Sequence, residues 1–152
     1  MGTADLPGAV AAWQAANIAR GKPPTPERVA RVIENLQEPE AMAYVAVQGD
    51  AVIGMALAEP CREDDGVGAV MLGALHIEMV FVFPSSQRQG VGRRLVRYLL
   101  DAARSSGISR VQLWTGRENA GAKRLYESVG MTITGTRQVD EVTEWVRYEM
   151  DL

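Results

Sequence analysis

Apolar residues at Val29, Val32, Ile33 and Leu36 recur at i, i+3, i+4 and i+7, leaving Arg28, Arg31 and Glu34 for water. That period predicts an amphipathic helix, opened by Thr25 and Pro26 and closed by Pro39. Upstream, Pro7, Val10, Trp13, Ala16 and Asn17 predict a shorter helix that the Gly21 to Pro24 stretch ends. The pattern then changes. Ala41 to Val47 and Ala51 to Ala58 are apolar runs joined by Gln48, Gly49 and Asp50, which reads as a hairpin. Cys61 to Gly68 reads as a polar, acidic loop, and Ala69 to Phe83, rich in Val, Ile, Phe and Met, as a long strand with Gly73 marking a bulge.

Helical spacing returns in Gly90 to Ser106, where Val91, Leu95, Leu99 and Ala102 or Ala103 line one side and Gly107 supplies the stop. Arg110 to Trp114 predicts a short buried strand. Asn119 then caps a helix carrying Ala122, Leu125, Tyr126 and Val129, which Gly130 ends. Met131 to Val139 and Thr143 to Met150 predict two closing strands. This order implies an α/β (α+β) fold, a mixed sheet with helices on both faces, in one domain over residues 1–152.

Composition narrows the function more than the fold. With 152 residues the chain can bury about 68 to 70% of its unfolded surface, enough for a core without staples. One cysteine, Cys61, and one histidine, His76, leave no His/Cys metal cluster and no internal disulfide. No apolar run approaches the roughly 20 residues that cross a bilayer, and Met1 to Asp5 lacks a leader pattern, so a cytoplasmic protein without a membrane partner is expected. Formal charge −3 argues against nucleic-acid binding and favours a cationic substrate.

Against that acidic background, no Asp or Glu lies between Glu78 and Asp101, whereas Arg88, Arg93, Arg94 and Arg97 do. A helix N-terminus carries roughly half a positive charge, so Arg93 and Arg94 in the first turn repel it unless an anion arrives. Gln87 to Gly92, QRQGVG, is therefore a candidate phosphate cradle in which Gly90 and Gly92 admit close backbone approach. It is not a nucleotide P-loop, which needs Lys followed by Ser or Thr. Nor is it the dinucleotide fingerprint, whose third glycine is replaced by Leu95.

A hydrophobic strand ending VFVFP and followed by QRQGVGRRL resembles the acetyl-CoA motif of the GNAT superfamily of N-acetyltransferases, Q/R-x-x-G-x-G/A. Downstream, NAGAKRLYESVGM, Asn119 to Met131, is similar to that family's second signature. The resemblance covers nearly the whole chain. It implies a mostly antiparallel central sheet with splayed parallel strands, and acetyl-CoA as co-substrate with no metal. Val80, Phe81 and Val82 would pair through their backbone with the pantetheine arm. Gln87, Arg88, Gln89, Gly90, Val91, Gly92 and Arg93 would cradle the pyrophosphate, and Asn119 would contact the arm while also capping its helix.

By the same resemblance Tyr126 is the general acid for the departing thiolate, although it also fits the apolar stripe of its helix. Glu78 is the expected base, sharing a face with His76, Val80 and Val82 and partly desolvated beside Ile77 and Met79. The alternative for Glu78 is a structural pair with Arg110 or Arg117. His76 is the second candidate base. Trp114 stands where relatives that acetylate ribosomal-protein N-termini carry a glutamate, and reads as core or as a pocket wall. Cys61, in the acidic loop with Glu63, Asp64 and Asp65, is a poor nucleophile candidate because no histidine neighbours it.

The expected acceptor is a small-molecule primary amine. A protein or peptide amine, or a non-catalytic acyl-CoA sensor, are the alternatives. Relatives begin with a strand before the first helix, and only Met1 to Asp5 precede Pro7 here, so either the start is assigned late or the sheet edge is open and covered by a loop or a partner chain, a homodimer being the expectation in that case.

Overall fold

The computed structural model describes Met1–Leu152. Helices α1 (Leu6–Ala19) and α2 (Pro26–Gln37) come first, followed by strands β1 (Met42–Gln48), β2 (Ala51–Arg62) and β3 (Val70–Val82). Helix α3 (Val91–Ser105), strand β4 (Arg110–Gly116), helix α4 (Ala120–Ser128) and strands β5 (Thr132–Gln138) and β6 (Glu144–Asp151) complete the chain. The six strands form one mixed sheet in the order β1-β2-β3-β4-β6-β5. No strand precedes α1, and β1 is an edge strand.

The chain divides into two compact units, Met1–Glu59 with Glu78–Leu99 and Pro60–Ile77 with Leu100–Leu152. In the first, Pro at N1 and a Thr25 hydroxyl accepting from the Arg28 amide start α2 as its sequence predicts. Ala9, Ala12 and Trp13 of α1 and Val32 and Leu36 of α2 cluster with Met55, Leu57 and Met79 from the strands. Burying side chains of this size contributes about 1.5–3 kcal/mol each, so this cluster holds the helices to the strands. Gly54 of β2 makes one close approach possible. A Cβ there would lie 3.1 Å from the Phe81 carbonyl oxygen and 3.2 Å from Leu95 of α3.

In the second unit, β4 alternates strictly, with Val111, Leu113 and Thr115 buried and the residues between them half-buried. It pairs antiparallel with β6, Leu113 opposite Tyr148 and Trp114 opposite Arg147. The parallel pairing of β3 with β4 covers only Ala74–His76 against Arg110–Gln112, although both strands run on beyond it. At the start of that pairing Gly73 takes a left-handed φ of +75°, and its carbonyl accepts from both the backbone N–H and the hydroxyl of Ser109.

Two sequence expectations fail here. Cys61 is not in a loop: β2 continues through Pro60 to Arg62, Cys61 is buried within it, and the acidic turn begins at Glu63. Trp114 is not core, because alternation gives the buried side of β4 to its neighbours Leu113 and Thr115.

Burial pushes the Cys61 thiol from 9.0 to about 11, Glu149 adding to the rise and Arg110 opposing it. Burial also raises the Tyr126 hydroxyl to about 12, and burial with the Glu127 carboxylate does the same for Tyr148. Each group keeps its proton in the fold at pH values where the unfolded chain has lost it. Their contribution to stability is therefore complete below about pH 9 and is lost as pH rises toward about 12. Chemical denaturation across this range should show stability falling from about pH 9, and Cys61→Ala should delay the onset to about pH 10, where the tyrosines begin to titrate.

Candidate functional site

In the first unit the strand-to-helix turn is held by its own hydrogen bonds. After β3, the Phe83 amide donates to the Ile53 carbonyl, and Pro84–Ser86 forms a single tight turn closed by Ser86 N–H on Phe83 O at 2.8 Å. Arg88 and Gly90 then both adopt left-handed φ, +60° and +78°. Left-handed residues among turn amides gather successive N–H groups on one side, the arrangement that receives anions. The glutamine side chains brace it. Gln87 Nε2 donates to Val82 O at 3.1 Å, and Gln89 Nε2 donates to Ser85 O at 3.3 Å.

The first helical hydrogen bond of α3 runs from Arg94 N–H to Gly90 O at 3.0 Å. The amides of Val91 and Gly92 precede that bond, and the positive end of the helix dipole coincides with them. Arg88, Arg93 and Arg94 are exposed around the turn. A left-handed φ costs a side-chain-bearing residue roughly 1–2 kcal/mol. Arg88 sustains that cost without the relief glycine gives Gly90, which marks the turn as shaped for something other than stability.

On β3 the facing is as expected: Ile77 and Met79 are buried, while His76, Val80 and Val82 are half-buried on the alternate positions. Glu78, however, is exposed, since Ile77 and Met79 occupy the buried side. The residue is thus not enclosed by these two neighbours, contrary to the expectation from sequence. Arg117 is engaged elsewhere, its Nε 2.7 Å from Glu144.

In the second unit Asn119 caps α4, its Oδ1 accepting from the Ala122 amide at 3.1 Å. Tyr126 is 8% exposed, its ring centroid 5.9 Å from that of Tyr148. The two hydroxyls differ. Tyr148 donates to Glu127 Oε1 at 2.7 Å, whereas the rise at Tyr126 comes from burial with no hydrogen-bonding partner contributing. Trp114, half-buried, has the guanidinium carbons of Arg137 and Arg147 at 5.0 and 5.7 Å from its ring centroid. Sequence reading overlooked these two arginines. The signal was Arg147 standing between the buried Val146 and Tyr148, on the face Trp114 shares.

The remaining surface holds no cluster of three His, Cys, Asp or Glu side chains able to bind a metal, and no helix is long and apolar enough to cross a membrane.

The mixed six-stranded sheet thus carries a parallel β3–α3–β4 crossover with the braced turn at the head of α3. The family model "Acetyltransferase (GNAT) family" matches residues 10–131, and the chain belongs to that family. Among curated relatives it is 35% identical to mouse N-acetyltransferase 8 over 102 residues, 66% of this chain and 42% of that protein. It is 34% identical to mycothiol acetyltransferase of Beutenbergia cavernae over 130 residues, 80% of this chain and 40% of that protein. The chain therefore spans about two-fifths of the length of these relatives. The fold is shared with the ribosomal-protein-S18-alanine N-acetyltransferase of Escherichia coli, at TM-score 0.79 and 24% identity, covering 99% of this chain and 90% of that one. It is also shared with the yncA structure from Salmonella typhimurium with its cofactor acetyl-CoA, at TM-score 0.76 and 22% identity, covering 99% and 90%.

Gly90→Ala isolates the turn, because an added Cβ meets nothing nearer than Arg94 Nη1 at 3.9 Å and the cost lies in φ alone. It should lower stability by about 1 kcal/mol, roughly 2–4 °C in melting temperature for a chain of this size. Acetyl-CoA should raise the melting temperature of the parent protein, and by less in this variant, both read by calorimetry.

Proposed function

We propose that this chain transfers an acetyl group from acetyl-CoA to a primary amine. The observation that carries the reading is the braced turn at Gln87–Gly90, where two left-handed residues lead into the positive end of the α3 dipole and offer a cradle for a pyrophosphate. Val80, Phe81 and Val82 supply backbone groups for the pantetheine arm in the manner of an added strand. Within that segment the Val82 carbonyl already accepts from Gln87, leaving its neighbours to make the remaining contacts. Asn119 positions the start of α4 and contacts the arm.

The neutral amine attacks the thioester carbonyl, a C–N bond forms, the C–S bond breaks, and the acetamide keeps the acetyl carbon. Glu78, exposed and so accessible to an incoming ammonium, takes the amine's proton directly or through water; His76 is the second candidate. Tyr126 gives its proton to the leaving thiolate. At about 12 its hydroxyl stays protonated throughout the neutral range. It is a weak acid, but a thiolate withdrawn from water is a correspondingly stronger base, since burial raises thiol and phenol alike. Holding the reactants in attack geometry supplies much of the acceleration.

A small-molecule acceptor is favoured over a peptide N-terminus by Trp114, which offers an aromatic wall where relatives that act on ribosomal-protein N-termini place a carboxylate. The similarity to a peptidyl-lysine N-acetyltransferase of Salmonella typhimurium, 27% identical over 104 residues, keeps a protein lysine as the second reading.

Release of coenzyme A across a panel of amino acids, polyamines, aminoglycosides and lysine peptides tests both. Tyr126→Phe should lower kcat by about 100-fold or more while leaving the KM for acetyl-CoA and the melting temperature nearly unchanged, since the fold does not use the hydroxyl. An unaltered kcat and pH profile would remove Tyr126 from the chemistry.

A further inference from the structure

We infer that Arg147, set against Trp114 with Arg137, is a carboxylate-binding site, and that the acceptor amine carries a carboxylate which this site holds. The inference rests on the acetyltransferase reading for the word acceptor, and on the second unit's own geometry for the site.

Arg147 is fixed by its sequence position. It lies directly opposite Trp114 in the β4–β6 ladder and opposite Gly135 in the β5–β6 ladder. Gly135 leaves room for the guanidinium, whose Cζ and Nη2 lie 3.4 Å from where a Cβ would stand. The register shifts between Ile133 and Gly135, and Thr134 in that irregularity presents its hydroxyl to Arg147 Nε at 3.1 Å. Glu149 Oε1 lies 3.2 Å from the same nitrogen. Both contacts fall on Nε. Thr134 and the ion pair with Glu149 set the plane of the guanidinium through Nε, and its Nη1–Nη2 edge is the fork that would receive a further carboxylate through two parallel hydrogen bonds.

Trp114 supplies the second element. A guanidinium against an indole face is held by the ring quadrupole, and it keeps its edge donors for a ligand because the ring occupies its face. Arg137 adds a further positive charge at the same ring, 47% exposed, its carboxylate neighbour Asp65 standing at 3.7 Å, too far for a hydrogen bond. An amine acceptor bearing a carboxylate, such as an α-amino acid, matches this arrangement. It reverses the preference for a cationic substrate drawn from the net charge.

The test uses paired probes, α-amino acids and their primary amides, on the whole chain saturated with coenzyme A, with binding read by calorimetry and transfer read separately with acetyl-CoA. Acids should bind at least tenfold more tightly than their amides, and Arg147→Met should erase the difference while leaving coenzyme A affinity intact. Arg147→Lys, which keeps the charge and loses the fork, should recover only part of it, and serves if the Met variant folds poorly. Equal binding of acids and amides, or a preference that survives in both variants, overturns the inference. Arginine-dependent binding of acids without any acetyl transfer would instead leave the carboxylate site standing and defeat the acetyltransferase reading.

Discussion

The parallel pairing of β3 with β4 is the constraint from which the rest follows. Parallel neighbours cannot be joined by a tight turn, so the chain must return along a crossover, here α3. The helix therefore begins at the carboxyl end of β3, and its dipole and the turn that leads into it accumulate at one place. The pairing is also short. Three residues of each strand are matched, and the strands continue without that partnership, so backbone groups of β3 beyond His76 are not consumed by β4. A chain wound this way acquires both a helix start at the end of its central strand and a stretch of that strand unmatched by β4.

The chemistry assigned to the two tyrosines of the second unit depends on how burial is distributed between them. Tyr148, fully buried, has its hydroxyl committed to Glu127, which satisfies a group that would otherwise cost stability. Tyr126, slightly exposed, has no such commitment. The same loss of water raises both hydroxyls, yet it makes one a structural donor and the other a retained proton. Adjacent aromatic rings thereby do different work without differing in residue type.

Where periodicity and capping dominate, the sequence is a good guide. The amphipathic face of α2, the Thr25 and Asn119 caps and the Gly49–Asp50 hairpin all lie where local rules put them. The turn at Gln87–Gly90 was legible too, through its glycines, but not its bracing, because nothing in QRQGVG announces that two glutamine side chains turn back onto carbonyls. Errors arose where partners are distant in sequence. Cys61 follows a proline and a glutamate that interrupt the apolar run, yet β2 continues through them and buries it. Trp114 has the size of a core residue, but its surroundings are set by arginines more than twenty residues away on two other strands. Alternation places Glu78 with His76, Val80 and Val82 as expected, but apolar neighbours in sequence do not announce that it is more exposed than they are.

Arg88 has an evolutionary consequence as well. A position held at φ +60° is filtered by dihedral angle before chemistry, so glycine and asparagine are admissible there and β-branched residues are not. The charge at that site is free to drift among descendants of this sequence while the shape of the turn is not. A family of such chains would share the path of its backbone far more faithfully than the identity of the residue that traces it.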